Sequence, residues 1–314
     1  MKNLKKKIEI AVIKAFGSFS RSAPPCIRVR LKRRFFDRHI AWRRVDITVK
    51  AGFGASLSLR FPDYIQNTIF LTGVWEPCLT RIIETALRPG DIFVDVGANI
   101  GYYSLLAASR VSHTGKVYAI EASPLIYRLL RENLDRNAYW NVLPINKAVS
   151  NESSECEIYM APESNLGHSS IIADSALIDG SVLEGCIECE ALPSLIPIDD
   201  LLRARFIKID IEGAERLALE GLVSLLPRFS YTTEWLIELS PSFLPGGQTD
   251  ADWIFQLFME HGYRAYFVPN DYTDDFMLGD GKGYRLCRVT EAPAGALSDL
   301  IFSRMRGSEL GLCI

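Results

Sequence analysis

The chain has 314 residues, 48% hydrophobic and 23% charged, enough to bury a large α/β core and too apolar to stay disordered. Its net charge of −3 excludes a polyanion-binding surface over the whole protein, so no nucleic-acid partner is expected, although residues 1–44 are clearly basic. Seven scattered cysteines (Cys26, Cys78, Cys156, Cys186, Cys189, Cys287, Cys313) fit reduced thiols in a cytoplasmic protein better than a disulfide framework. "GCIEC" holds one CxxC, at Cys186 and Cys189, but no second ligand pair follows, so no metal site is expected there.

In the N-terminal stretch, "MKNLKKKIEIAVIKAFGSFSRS", Leu4, Ile8, Val12 and Phe16 recur at helical spacing and the lysines fill the other face. Glu9 and Lys14 interrupt an apolar run already too short to span a bilayer, so this is no transmembrane anchor. Two readings stand: peripheral contact with anionic lipid through residues 1–16, or a helix packed on its own domain. From about Ile27 to Phe70, short alternating segments such as "VDITVKA" and "SLSLRFP" suggest a β-rich prelude, which makes residues 1–70 an N-terminal extension.

"EPCLTRIIETALRPGD" reads as a helix ended by Pro89-Gly90. Strand-like and helix-like segments then alternate as "DIFVDV", "YYSLLAASR", "KVYAIEA", "PLIYRLLRENLDRN" and "NVLPINKAV", the rhythm of a parallel sheet covered on both faces. The rhythm breaks between about residues 150 and 203, a stretch too long for an ordinary connection and read as a functional insertion. It resumes with "FIKIDI", "GAERLALEGLVSLL", "TEWLIELS" and "DADWIFQLFMEHG", and closes on "YRAYFVP" and "YRLCRV". The expected core domain is therefore 71–292, with 293–314 as a C-terminal tail.

"FVDVGANIGYYS" is a strand, a glycine turn and a helix start, a generic cradle for part of a nucleotide-like cofactor. Gly97 and Gly101 lie four apart, with Asn99 where a dinucleotide fingerprint wants glycine. A carboxylate at Asp95 would repel a pyrophosphate and attract an ammonium group. Twenty residues beyond Gly101, Glu121 ends the next strand, placed to accept hydrogen bonds from both hydroxyls of a ribose; the alternative, capping the following helix, can be met by Ser123-Pro124 without it. Ribose together with a cationic amino acid is S-adenosylmethionine.

At the ends of the later strands, "KIDIEGAE" puts Lys208 and Asp210 on one strand face with Glu212 at the turn. A general base there would help a hydroxyl nucleophile, and Asp210 is read as that base, the alternative being a structural partner of Lys208. His168, in "GHSSI", is a second candidate base, and Ser169 and Glu238 are candidate acceptor ligands. Asp210, Glu212 and Glu238 could gather a divalent ion, but nothing in their spacing requires one. Trp75, Tyr102 and Tyr103 are assigned to core packing by default.

Four blocks, "RPGDIFVDVGANIGYYSLLAA", "VYAIEASPLIYRLLRENLDRN", "GHSSI" and "FIKIDIEGAERLALEGL", make the sequence resemble the FkbM-type methyltransferases, which are class I S-adenosylmethionine-dependent enzymes. The likeness runs over about residues 70–240. It implies an α/β, Rossmann-like, seven-stranded mixed sheet with helices on both faces, and an O-methyltransferase acting on hydroxyls of sugars, glycans or secondary metabolites. It also implies that Asp95, Gly97, Asn99 and Gly101 shape the methionine end of the cofactor pocket, that Glu121 holds the ribose, and that Ala148-Val149 approach the adenine. Ala122 departs from the proline usual after the acid, and residues 172–190 have no counterpart. The competing readings are an NAD-dependent oxidoreductase on a similar sheet and a non-catalytic partner protein that kept the pocket.

Overall fold

A computed structural model describes residues 2–162, 164, 167, 169–172, 181–279, 285–295 and 297–305. Its centre is an eight-stranded sheet. The strands are β3 (Ile92–Val96), β4 (Lys116–Ile120), β5 (Val142–Ile145), β9 (Phe206–Ile209), β10 (Glu234–Leu239), β11 (Arg264–Val268), β12 (Cys287–Val289) and β13 (Ser298–Ser303). Their spatial order is β12-β11-β13-β10-β9-β3-β4-β5. β5, β4, β3, β9 and β10 run parallel, and β13 enters antiparallel between β10 and β11. β3 and β9 are buried at every residue because helices cover both faces, which is why they read as apolar runs broken only by Asp95 and Lys208. Along β3 the side chains divide the core: Phe93 joins the cluster under the helices Pro77–Ala86 and Tyr102–Val111, while Val94 and Val96 join the opposite one.

The seven expected strands are present, the last of them, "YRLCRV", as the edge strand β12, and β13 adds an eighth between β10 and β11. The boundary at 292 needs correction. Residues 298–303, assigned to a tail, form β13, buried throughout and registered Trp235↔Phe302 and Arg264↔Ser303 with its neighbours. Its sequence, "SDLIFS", is short and half polar, so it gives little sign of a central strand.

The N-terminal extension is more helical than its alternation suggested. A helix spans Lys2–Ser22, and residues 25–39 continue as helix with one wide turn at Lys32–Phe36. Pro25 supplies the preorganised first turn, and Val29, Phe36 and Ile40 are buried. Only β1 (Asp46–Lys50) and β2 (Ser56–Arg60) are β, paired as a hairpin. Asp63 then caps the helix Tyr64–Thr72 by accepting from the Gln66 N–H at 2.8 Å. Among the described residues no helix is long and apolar enough to cross a membrane.

The insertion builds its own three-stranded sheet from β6 (Ala148–Val149), β8 (Val182–Glu190) and β7 (Ser154–Met160). Cys156 and Cys189 lie diagonally across the β7–β8 pair, their Cα atoms 6.5 Å apart, and form a disulfide. This corrects the reading of all seven cysteines as free thiols. Strand geometry also separates the CxxC: Cys186 is exposed and Cys189 is buried, because residues three apart in a strand point to opposite faces.

Candidate active site

The carboxyl ends of β3, β4, β9 and β10 open into one cavity of about 480 Å³. At its inner wall the chain leaves β3 through Gly97, whose φ of +80° glycine alone adopts easily. The turn passes so close to β9 that a Cβ on Gly97 would meet the Asp210 carbonyl oxygen at 1.8 Å. Asn99, at φ +50°, accepts from the Ile100 N–H with its own side chain, which steadies the left-handed turn. Gly101, at φ +88°, starts the helix Tyr102–Val111 and packs against Leu130 on its far side. Gly97 and Asn99 line the cavity, and Gly101 stands behind it.

Glu121 lines the same region, only 7% exposed. One oxygen accepts from the Asn99 N–H at 2.8 Å and the other from the Ser123 N–H at 2.9 Å. Each oxygen keeps a further acceptor position toward the cavity. Burial pushes the Glu121 carboxyl up to about 7 against those two hydrogen bonds. Ser123 caps the next helix itself by accepting from the Ile126 N–H, so capping does not account for Glu121. Ala148, Val149 and Ile126 continue the wall as an apolar slot.

Asp95 lies lower than expected. It is fully buried, takes a hydrogen bond from Ser104 Oγ at 2.5 Å and is absent from the cavity lining. Burial raises its carboxyl to about 6, although Lys208, its neighbour across β3 and β9, works the other way. The second Asp95 oxygen has no hydrogen-bond partner among the described residues, a buried acceptor set directly beneath the turn.

The outer half of the cavity gathers acids. Lys208, 2% exposed, reaches Asp210 at 2.7 Å and sits 5.6 Å from the centre of the Tyr103 ring. Burial opposes its charge, but Asp210 and Asp95 outweigh it and hold Lys208 as an ammonium, which makes it a fixed cation and not a proton acceptor. Asp210, Glu212 and Glu238 each bring an oxygen within 4.8 Å of the other two, a donor set that could hold a hard divalent cation. Burial first, and Asp210 second, push Glu212 and Glu238 well above the usual carboxylate range. Glu212 holds φ at +50°, and its carbonyl accepts from Ser170 Oγ of the insertion at 2.6 Å. Ser169 lines the cavity beside it, as does Gly167, while His168 lies outside the described residues. Glu215 turns away to accept from the Ile211 and Gly213 N–H groups, a helix-start role only.

Three polar residues here went unread in the sequence. Glu76, 4% exposed and at φ +40°, accepts from Tyr103 Oη at 2.5 Å and from Tyr272 Oη at 2.8 Å. Burial, against those two hydrogen bonds, raises its carboxyl. Asp299 enters on β13 directly opposite Glu238, holds Asn270 at 2.8 Å, and is pushed up to about 8 by burial and by Glu76. The "WEP" just before the helix Pro77–Ala86 was a usable signal for Glu76, since an acid buried at a strained backbone position is costly without a task. Nothing local marked Tyr272 or Asp299. Trp75 and Tyr103, assigned to the core, are buried and also line the cavity.

The profile of the methyltransferase FkbM domain matches residues 95–265, more than half of the chain and the span that carries this cavity. The chain belongs to the FkbM methyltransferase family. The cofactor of this FkbM-family domain is S-adenosylmethionine, and the residues present suit it: the Glu121 carboxylate on the cavity wall, an apolar slot beside it, and a carboxylate oxygen buried under the turn without a hydrogen-bond partner among the described residues. The 31-O-demethyl-FK506 methyltransferase FkbM of Streptomyces tacrolimicus is 30% identical over 161 residues, which cover 43% of this chain and 61% of that protein. A protein-L-isoaspartate O-methyltransferase of Aeropyrum pernix is 41% identical over 58 residues, 18% of this chain and 22% of that protein. The chain thus spans less than two thirds of the length of either relative. Among solved structures, the precorrin-6y C5,15-methyltransferase of Geobacter metallireducens aligns over 73% of this chain and 87% of its own at 13% identity, with a TM-score of 0.40.

Proposed function

We propose that this FkbM-family protein is an O-methyltransferase whose acceptor is a hydroxyl of a sugar, a glycan or a secondary metabolite. The observation that best supports the reading is the outer half of the cavity, where Asp210, Glu212, Glu238 and Glu76 stand among Tyr64, Trp75 and Tyr272. Carboxylates that accept from neighbouring hydroxyls, with aromatic faces that cover C–H surfaces, suit a polyhydroxylated acceptor.

When bound, S-adenosylmethionine supplies a methyl group on a sulfonium, already electrophilic, so the chain's task is mainly alignment and proton removal. Glu121 holds the ribose hydroxyls with its free acceptor positions, and Ala148 and Ile126 flank the base. Gly97 and Asn99 shape the methionine end. Asp95 favours an ammonium group there through its field beneath the turn. Asp210 takes the acceptor hydroxyl's proton, oriented by Lys208, with Glu212 as the alternative acceptor and His168 as a further candidate. Ser169, Glu238 and Glu76 position the acceptor. The protein meets that acceptor at the periphery of a membrane, with residues 1–16 in contact.

Calorimetry and a transfer assay test the reading together. S-adenosylhomocysteine should bind at about micromolar strength or tighter and NAD(H) should not. A labelled methyl donor should label a member of a panel of sugars and polyols in the presence of the enzyme. Binding of NAD(H) in place of S-adenosylhomocysteine would overturn the assignment, and donor binding with no transfer to any hydroxyl compound would remove the acceptor class.

A further inference from the structure

The helix Lys2–Ser22 has two apolar faces, and the domain uses only one. Its inner face carries Ile13, Gly17 and Ser20. Ser20 Oγ donates to the Leu71 carbonyl at 2.9 Å, Arg21 donates to the Phe70 carbonyl at 2.8 Å, and the Phe70 ring fills the space a side chain at Gly17 would need. That seam fixes the helix on the helix Tyr64–Thr72, so its opposite face cannot also turn inward.

The opposite face bears Ile8, Val12, Ala15 and Phe19, at spacings of four, three and four that make one stripe. Ile8, Val12 and Phe19 are 56%, 57% and 60% exposed. Two more large aromatics are exposed on the next segment. Phe35, 42% exposed, packs its ring 5.1 Å from Phe16, and Trp42, 72% exposed, adjoins Arg43, which pairs with Glu9 beside Ile8. Side chains of this size left in water along a well-seated helix mark an interaction surface.

Charge names the partner. Residues 1–44 hold fourteen of the 35 lysines and arginines and two of the 38 acids, a net charge of +12, and the other 270 residues hold the remaining 21 and 36, a net charge of −15. Lys5, Lys6, Lys7, Lys14, Arg34 and Arg38 are exposed around the stripe. A cationic rim around an exposed aliphatic and aromatic stripe is the pattern that inserts into the headgroup region of an anionic bilayer. A nucleic acid would use the cations but gain nothing from exposed Ile8, Val12 and Phe19.

We infer that the outer face of the helix Lys2–Ser22, together with Phe35 and Trp42, is a docking surface for an anionic membrane, with the apolar stripe buried among the headgroups and the basic rim against them. The inference extends the contact proposed for residues 1–16 and stands or falls by binding alone, whatever the acceptor is. The helix Tyr64–Thr72, on which this surface is seated, also supplies Tyr64 and Ile65 to the cavity, so docking would hold the acceptor site one helix away from the bilayer.

Flotation of the full chain with vesicles tests it. The protein should rise with vesicles containing phosphatidylglycerol, stay behind with pure phosphatidylcholine, and be released as salt is raised. Val12→Glu combined with Phe19→Glu should cut vesicle binding at least about tenfold while thermal stability and S-adenosylhomocysteine binding hold, since both side chains face outward. Trp42→Phe should remove part of any blue shift in tryptophan emission on vesicle addition. Absence of flotation at low salt, or retention by the double variant, would overturn the inference. So would tight RNA binding that displaces vesicles, or a dimer that the double variant dissociates, which would assign the stripe to a second copy.

Discussion

The two halves of the cavity are built by opposite means. The inner half comes mainly from one continuous stretch, residues 95–126, in which a tight turn and a strand end aim backbone N–H groups at the Glu121 carboxylate, with Ala148 and Val149 completing the wall. The outer half draws on four separated places, Glu76, Asp210, Glu238 and Tyr272, with Tyr272 bonded to Glu76 and with Asp299 set beside Glu238 by the β10–β13 register. A cofactor common to many reactions can be met by a fixed local device, whereas the acceptor proposed for the outer half would be met by a composite that substitutions can retune piecewise.

Substitutions at the seam between the halves should have the largest effect. Gly97→Ala drives a methyl group into the Asp210 carbonyl, so it should cost about 3 kcal/mol or more of stability and abolish S-adenosylhomocysteine binding, as read by thermal melting and calorimetry. Asp210→Asn keeps the shape and removes the proposed base. Turnover should fall by about 10²–10⁴-fold with the cofactor dissociation constant changed no more than about twofold, and equal losses in both would make Asp210 a binding residue.

Glu76→Gln belongs wholly to the outer half. It should raise the KM for the acceptor about tenfold and leave S-adenosylhomocysteine binding unaltered, so a loss of cofactor binding would show that the halves are not separable. The unliganded protein should also report both halves through pH. Asp95, Glu121 and Asp299 are raised to about 6, 7 and 8 by burial, so the folded state keeps protons that the unfolded chain has released. That stability is complete below the ordinary carboxylate range of about 4 and is lost as pH rises through the folded values. The melting temperature should therefore fall from about pH 4 to about pH 8, and Glu121→Gln should make that fall shallower between about pH 4 and pH 7. The smallest effect is expected at Glu184, where the insertion accepts from Ser123 Oγ at 2.6 Å and the Leu125 N–H at 2.7 Å. Glu184→Ala should cost about 1 kcal/mol and weaken cofactor binding only slightly.

The parts of the site that were legible in the sequence are those whose function is local. Gly97, Asn99, Gly101 and Glu121 are tied to a turn and a strand end by near neighbours, so their spacing alone exposes them. Asp95 was found by the same logic but placed too high, because no spacing rule says whether a strand-end side chain faces the cavity or the helix behind it. Asp299 was hidden in a stretch read as a tail: β13 reverses direction and inserts between strands that precede it, a long-range pairing that a short, half-polar segment does not advertise. The Cys156–Cys189 disulfide was missed for the same reason, since it depends on which residues of β7 and β8 lie across from each other.

By itself the sequence determined the alternation of strands and helices, the glycine turn and the pair of acids around it, because hydrophobic period and backbone conformation are properties of adjacent residues. Only the tertiary structure decided that β13 would complete the sheet and set Asp299 beside Glu238, that Glu76 would share one cavity with Asp210 and Glu238, and that the N-terminal helix would leave a stripe uncovered. Those outcomes are set by packing between distant segments, where each element's position depends on surfaces that no short window of sequence contains.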